Sequence, residues 1–140
     1  MHFARNIASA LVGAMLVAMT GCATTTTTRP TGLSQSAEQL DMNARTLAAH
    51  SDYIGPPYQS DAHDLAKRAY DFRSMVNTAT VSSSEVQAQF QLVSESYHKL
   101  QADVEHTRTQ QAYSDMEPVT AAYHAVEHDM GVSRSAETAH

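Results

Sequence analysis

SSSEVQAQFQLVSESYHKLQADV, residues 82–104, is the stretch whose reading decides the fold. Its apolar residues Val86, Phe90, Val93, Tyr97, Leu100 and Val104 recur in alternating steps of four and three, keeping one face of a helix apolar and turning Gln, Glu, Ser and Lys outward. Ser82 and Glu85 spell a capping box at its start. Such a helix must bury its stripe against other helices.

The same period recurs on both sides. Upstream, Ala62, Leu65, Ala69, Phe72, Val76 and Ala79 form a second stripe, with Ser60 or Asp61 as N-cap and a polar turn, Thr80 to Ser84, after it. Earlier still come Leu33, Ala37, Leu40, Ala44, Leu47 and Ile54, opened by a Ser36 and Gln39 capping box and stopped by Gly55, Pro56 and Pro57. Downstream the period dissolves between Thr107 and Ala112, then resumes as Met116, Val119, Tyr123, Val126 and Met130. Ser114 or Asp115 is placed to cap that helix, Pro118 to sit in its first turn and Gly131 to end it. Four stripes joined by short loops predict an all-α, up-down-up-down antiparallel four-helix bundle. With no Trp and only 3 Phe the core is thin, so a three-helix bundle, or an elongated hairpin completed as a homodimer, stays open as an alternative.

The amino-terminal region has a different character. Arg5 precedes an apolar run from Ile7 to Met19, too short for a comfortable membrane span of about 20 residues, and the run ends Met19-Thr20-Gly21-Cys22. These residues resemble the lipobox of bacterial lipoproteins. The resemblance implies a signal peptide over residues 1–21, cleavage after Gly21 and a diacylglycerol thioether on Cys22, the sole cysteine. Ala23, in place of the aspartate that favours inner-membrane retention, implies an outer-membrane, periplasm-facing lipoprotein. Residues 22–32, with five consecutive threonines, are then a disordered, lipidated linker, reaching roughly 30 Å when extended at about 3.3 Å per residue. The helical domain takes residues 33–131 and a disordered polar tail residues 132–140.

Charge narrows the partners. The formal charge is −6, and without Arg5 the mature chain has eight basic against fifteen acidic side chains, or −7. This excludes nonspecific binding to nucleic acid. No glycine-rich phosphate loop, G-x-S-x-G elbow or second cysteine is present.

The histidines are the remaining chemistry. His124-Ala125-Val126-Glu127-His128 reads H-x-x-E-H and resembles the inverzincin metallopeptidase motif, in which two histidines hold zinc and the glutamate is the base. With Tyr123 and Val126 in the core, His124 flanks the stripe and His128 points outward, which fits a surface metal pair better than a peptidase centre. His63, His98 and His124 each directly follow a core residue, Ala62, Tyr97 or Tyr123, and so share one flank of the heptad. That flank places His63 and His98 together in the groove between the second and third helices and turns His124 toward the first. Glu95 and His98 match the E-x-x-H of di-iron bundles once only, with Glu95 outward, and Met42 lies off the core stripe where a haem bundle needs a ligand. The expectation is a non-enzymatic structural or interaction module, anchored through Cys22 and bound to another envelope protein. The alternative is a transition-metal carrier using copper or zinc on His63, His98, His124 and His128.

Overall fold

The computed structural model describes residues 31–131; the expected signal peptide, Cys22, most of the expected linker and the expected carboxy-terminal tail fall outside the described residues. Four helices follow in order: α1 Thr31–Ser51, α2 Tyr58–Val76, α3 Ser83–Thr107 and α4 Gln110–Asp129. α1 packs against α2 and α4, and α2 against α3, while the α3–α4 seam is wider and closed by large side chains. The four-helix bundle expected from the stripes is the observed architecture.

The stripes meet in one core. Leu33, Ala37, Leu40, Ala44 and Leu47 from α1 face Ala62, Leu65, Ala69, Phe72 and Val76 from α2. Val86, Phe90, Val93, Tyr97, Leu100 and Val104 from α3 and Met116, Val119, Tyr123 and Val126 from α4 complete it. Alanines line the seams where backbones approach, while Tyr97, Tyr123 and Phe90 fill the wide one. Ala79 falls in the exposed turn after α2, and Ile54 and Met130 are only partly buried at the rim of the core.

The helix ends required four corrections. α1 begins at Thr31, so Thr31 and Gly32 belong to the helix and not to the linker. Ser36 is therefore in the second turn and caps nothing; its hydroxyl lies 3.0 Å from the Gly32 carbonyl and also against the Asp129 carboxylate of α4. α2 begins at Tyr58 behind Pro57, not at Ser60 or Asp61, and this carries Asp61 and Tyr58 into the packed interior. α4 begins at Gln110 because Thr109 accepts the Ala112 amide, which leaves Pro118 inside the helix. Proline is tolerated there on the exposed face, and its carbonyl accepts a hydrogen bond of 2.8 Å from Asn43 Nδ2 of α1.

The Ser82–Glu85 capping box is present as read. Gly55 turns the chain between α1 and α2 at φ +89°, a conformation that a side chain would strain.

Candidate functional site

Two regions of the bundle gather polar side chains: the α3–α4 seam and the end where α1 and α3 finish and α2 and α4 begin.

At the seam, Tyr97 and Tyr123 stack with ring centroids 4.0 Å apart and planes 6° from parallel. The Tyr97 hydroxyl donates to Thr120 Oγ1 at 3.1 Å, and the Tyr123 hydroxyl pairs with Ser94 Oγ at 2.7 Å. Burial raises the Tyr123 phenol to about 12, so it stays neutral. Each tyrosine is followed by a histidine that sits edge-on to the stack. His98 lies 5.2 Å from Tyr97 and 6.0 Å from Tyr123, and His124 lies 5.6 Å from Tyr123 and 6.5 Å from Tyr97. His98 Nδ1 is 3.4 Å from Gln101 Oε1, and His124 Nδ1 is 2.7 Å from Glu127 Oε2.

The two halves of this seam resemble one another in sequence, with Ser94 and Gln101 of one replaced by Thr120 and Glu127 in the other. Val93-Ser94-x-x-Tyr97-His98-x-x-Gln101-x-Asp103 matches Val119-Thr120-x-x-Tyr123-His124-x-x-Glu127-x-Asp129 at a constant offset. Reading each histidine by its flank missed this pairing; sliding the sequence along itself would have found it. On antiparallel helices the repeat faces its own copy, so each tyrosine reaches the residue three before the other.

The seam also corrects the placement of the histidines. His98 lies against Tyr123 of α4, while His63 lies at the α1–α2 end, 3.7 Å from Asp52, so the contacts of the two rings are with different neighbours and not with each other in an α2–α3 groove. Likewise His124 faces α3 and not α1. A heptad flank fixes which way a residue turns about its own helix, but the neighbour it meets depends on the hand in which the bundle closes. His128 is exposed and its Nδ1 is 3.3 Å from Asp129 Oδ1. Among the described residues no three His, Cys, Asp or Glu side chains converge as a metal site.

Beside the seam, α3 and α4 part around a cleft of about 380 Å³, lined by Val104, Met116, Tyr113 and Thr120 and flanked by Gln101 and Glu117.

The second region was not foreseen, because it depends on where α2 begins. Asp61 of α2 is 6% exposed, and its Oδ1 accepts from Lys99 Nζ of α3 at 2.7 Å. One turn on, Asp64 accepts from Ser96 Oγ at 2.5 Å and Arg68 Nε at 2.9 Å. Burial alone would raise Asp64, but these hydrogen bonds outweigh it and hold the carboxyl below its ordinary value. Across the same end, Asp115 of α4 lies 3.2 Å from His50 Nδ1 of α1 and accepts from Gln111 Nε2 at 2.8 Å. Burial, helped by the Asp115 charge, pushes the Tyr58 phenol up to about 12. Tyr58 Oη, Asp61 Oδ2, Asp103 Oδ2 and Asp115 Oδ2 are buried at this end without a hydrogen-bond partner.

Set beside protein-family models, curated proteins and solved structures, the chain matches none of them.

Proposed function

We propose that this chain is a lipid-anchored protein of the bacterial cell envelope whose helical bundle is a non-enzymatic structural or interaction module. The observation that carries the reading is Met19-Thr20-Gly21-Cys22 closing a short apolar run behind Arg5. Acyl chains on Cys22 hold the protein in the periplasmic leaflet of the outer membrane. More than one chain gives stable anchoring, at about 0.8 kcal/mol per buried methylene.

Among the described helices none is long and apolar enough to cross a membrane, so the lipid is the anchor the reading supplies. The chain enters the bundle at Thr31, and the other end of α1 lies roughly 30 Å away at about 1.5 Å per residue. There Tyr53 is 92% exposed, and the Tyr113 ring is half-exposed on the first turn of α4. Aromatic rings presented away from the anchored end suit contact with a second envelope protein.

Metabolic labelling with an alkyne-bearing palmitate, followed by membrane fractionation, tests the anchor. The wild-type chain is expected to take up label and sediment with outer membranes, and Cys22→Ser to lose the label. A wild-type chain that stays unlabelled and soluble overturns the reading. Photocrosslinkers at Tyr53 and Tyr113 then capture the partner, and a crosslink that forms equally from Lys67 on the side of the bundle counts against this end as the contact.

Copper or zinc binding is the second reading. It is favoured by one observation: the Nδ1 atoms of His98 and His124 are engaged by side-chain oxygens, which leaves Nε2 of each as the ligand atom, the arrangement usual for metal-bound histidine. Native mass spectrometry under titration with each metal decides it. Stoichiometric binding lost in His98→Ala and His124→Ala supports a metal carrier, and binding insensitive to both rejects it.

A further inference from the structure

We propose that two copies of this chain exchange α4 about a hinge at Arg108 and Thr109, so that a strained bend is released and α3 and α4 of each copy run on as one helix. Of the three connections between helices this is the shortest: two residues join α3 to α4, whereas six lie between α1 and α2 and six between α2 and α3. Arg108 closes α3 at φ 50° and ψ 29°, and among the described residues it is the one non-glycine with a positive φ. The bends after α1 and α4 give that conformation to Gly55 and Gly131. A Cβ in the left-handed region crowds the carbonyl that follows it, so the Arg108 turn is strained where the glycine turns are not.

Running on as a helix removes that strain. Glu105 to Ala112 contain neither glycine nor proline, whereas Gly55, Pro56 and Pro57 bar the same path between α1 and α2. Between α2 and α3 it would destroy the Ser82–Glu85 capping box. At the hinge the side-chain cap is a single contact, Thr109 Oγ1 accepting the Ala112 amide at 3.3 Å. A joined helix pairs the Gln110 and Gln111 amides with the His106 and Thr107 carbonyls in the ordinary helical ladder, and so uses groups that helix ends leave over.

Exchange keeps the contacts of the bundle. α4 is held to α1 by Asn43 on the Pro118 carbonyl at 2.8 Å, by His50 beside Asp115 at 3.2 Å and by Ser36 on Asp129, and to α3 by the Tyr97–Tyr123 stack. Each of these forms equally well between α4 of one copy and α1 and α3 of the other. The gain is the hinge strain released twice per dimer and the joined turn, set against the entropy of association, which makes exchange depend on concentration. Short strained hinges invite such exchange. The proposal does not depend on lipidation of Cys22.

The test begins with the full chain refolded from denaturant over a range of concentrations, its mass read by size exclusion with light scattering. A dimer is expected to grow in with concentration; a monomer throughout, up to about 1 mM, overturns the proposal. A second arm asks which chain supplies α4. In the chain carrying Cys22→Ser, Ser36→Cys and Asp129→Cys, the two new thiols stand where α1 meets α4, so oxidation of the dimer is expected to join two chains on a denaturing gel. A dimer whose disulfides all lie within one chain is a side-by-side association and overturns exchange. The hinge is read by Arg108→Gly and Arg108→Ala, which remove the same charge. Glycine relieves the bend and weakens the joined helix, so the dimer dissociation constant should rise roughly tenfold or more with two hinges per dimer, whereas alanine should leave it unchanged or lower it. An equal shift in both variants shows that the bend does not drive exchange and overturns the proposal. The wild-type series stands even if the cysteine-bearing chain fails to fold.

Discussion

Tyr97 and Tyr123 stack face to face across the α3–α4 seam, 4.0 Å between ring centroids, each sending its hydroxyl to the other's helix. Their backbones stand too far apart for small side chains to close the seam, so the two rings carry its packing. Replacing either by Ala is expected to cost about 3–5 kcal/mol. Beyond that, a double-mutant cycle should return a coupling of about 0.5–1.5 kcal/mol from the stacked geometry. Additive losses in chemical denaturation would show that each ring packs only against the core.

Asp41 is a charge buried in α1 at 1% exposure, held by Arg45 Nε at 2.8 Å and by Arg73 Nη1 of α2 at 3.1 Å. Both guanidinium groups also lie over the Tyr70 ring, at 5.1 and 5.3 Å. Asp41→Ala frees two arginines that reach solvent and should cost about 1–3 kcal/mol. Arg73→Ala should cost more than Arg45→Ala, because Arg73 is the less exposed of the two and ties α2 to α1. Equal effects of the two arginine variants on the unfolding midpoint would reject the clamp between helices.

Ser82 heads the longest helix, its Oγ accepting the Glu85 amide at 3.3 Å while Glu85 Oε2 accepts the Ser82 amide at 2.9 Å. Ser82→Ala removes half of this reciprocal pair, with an expected loss of about 1 kcal/mol. Ser82→Asp, which retains a capping oxygen, should recover most of it. Thermal unfolding followed by circular dichroism separates the two.

Acid should weaken the fold through Asp64 and Asp129. Burial raises Asp64, but hydrogen bonds from Ser96 and Arg68 hold its folded pKa below the ordinary carboxyl value; bonds from Ser36 and then His128 lower Asp129. Their stabilisation is present above the unfolded pKa of about 3.9 and is lost as pH falls through the lower folded values. Stability is therefore expected to fall as pH drops below about 3.9. The acid loss should be smaller in Asp64→Asn than in wild type, and equal acid slopes in Tm would rule out the Asp64 contribution.

Much of the bundle was legible because burial in helices leaves a periodic trace. The steps of three and four from Leu33 to Val126 name almost every core residue, and Ser82 and Glu85 name the start of α3. Helix starts were less legible where several polar residues compete for one cap. Pro57 starts α2 without a side-chain cap, and Thr109 won over Ser114 and Asp115, so Tyr58 and Asp61 were each assigned to the wrong side of a boundary and Pro118 to the first turn of α4 instead of its interior.

By itself the sequence determined the four stripes, the faces they bury, the negative charge of the chain and the lipobox resemblance at Cys22. These are local properties, set by spacing along one helix or by a short motif. Only the tertiary structure decided which stripe neighbours which. That choice puts His98 and His124 about one tyrosine pair, sends His63 to Asp52, and brings Asp61 against Lys99. The physical reason is that a heptad specifies an angle about one axis, whereas the hand in which four axes close is set by how all their side chains pack together.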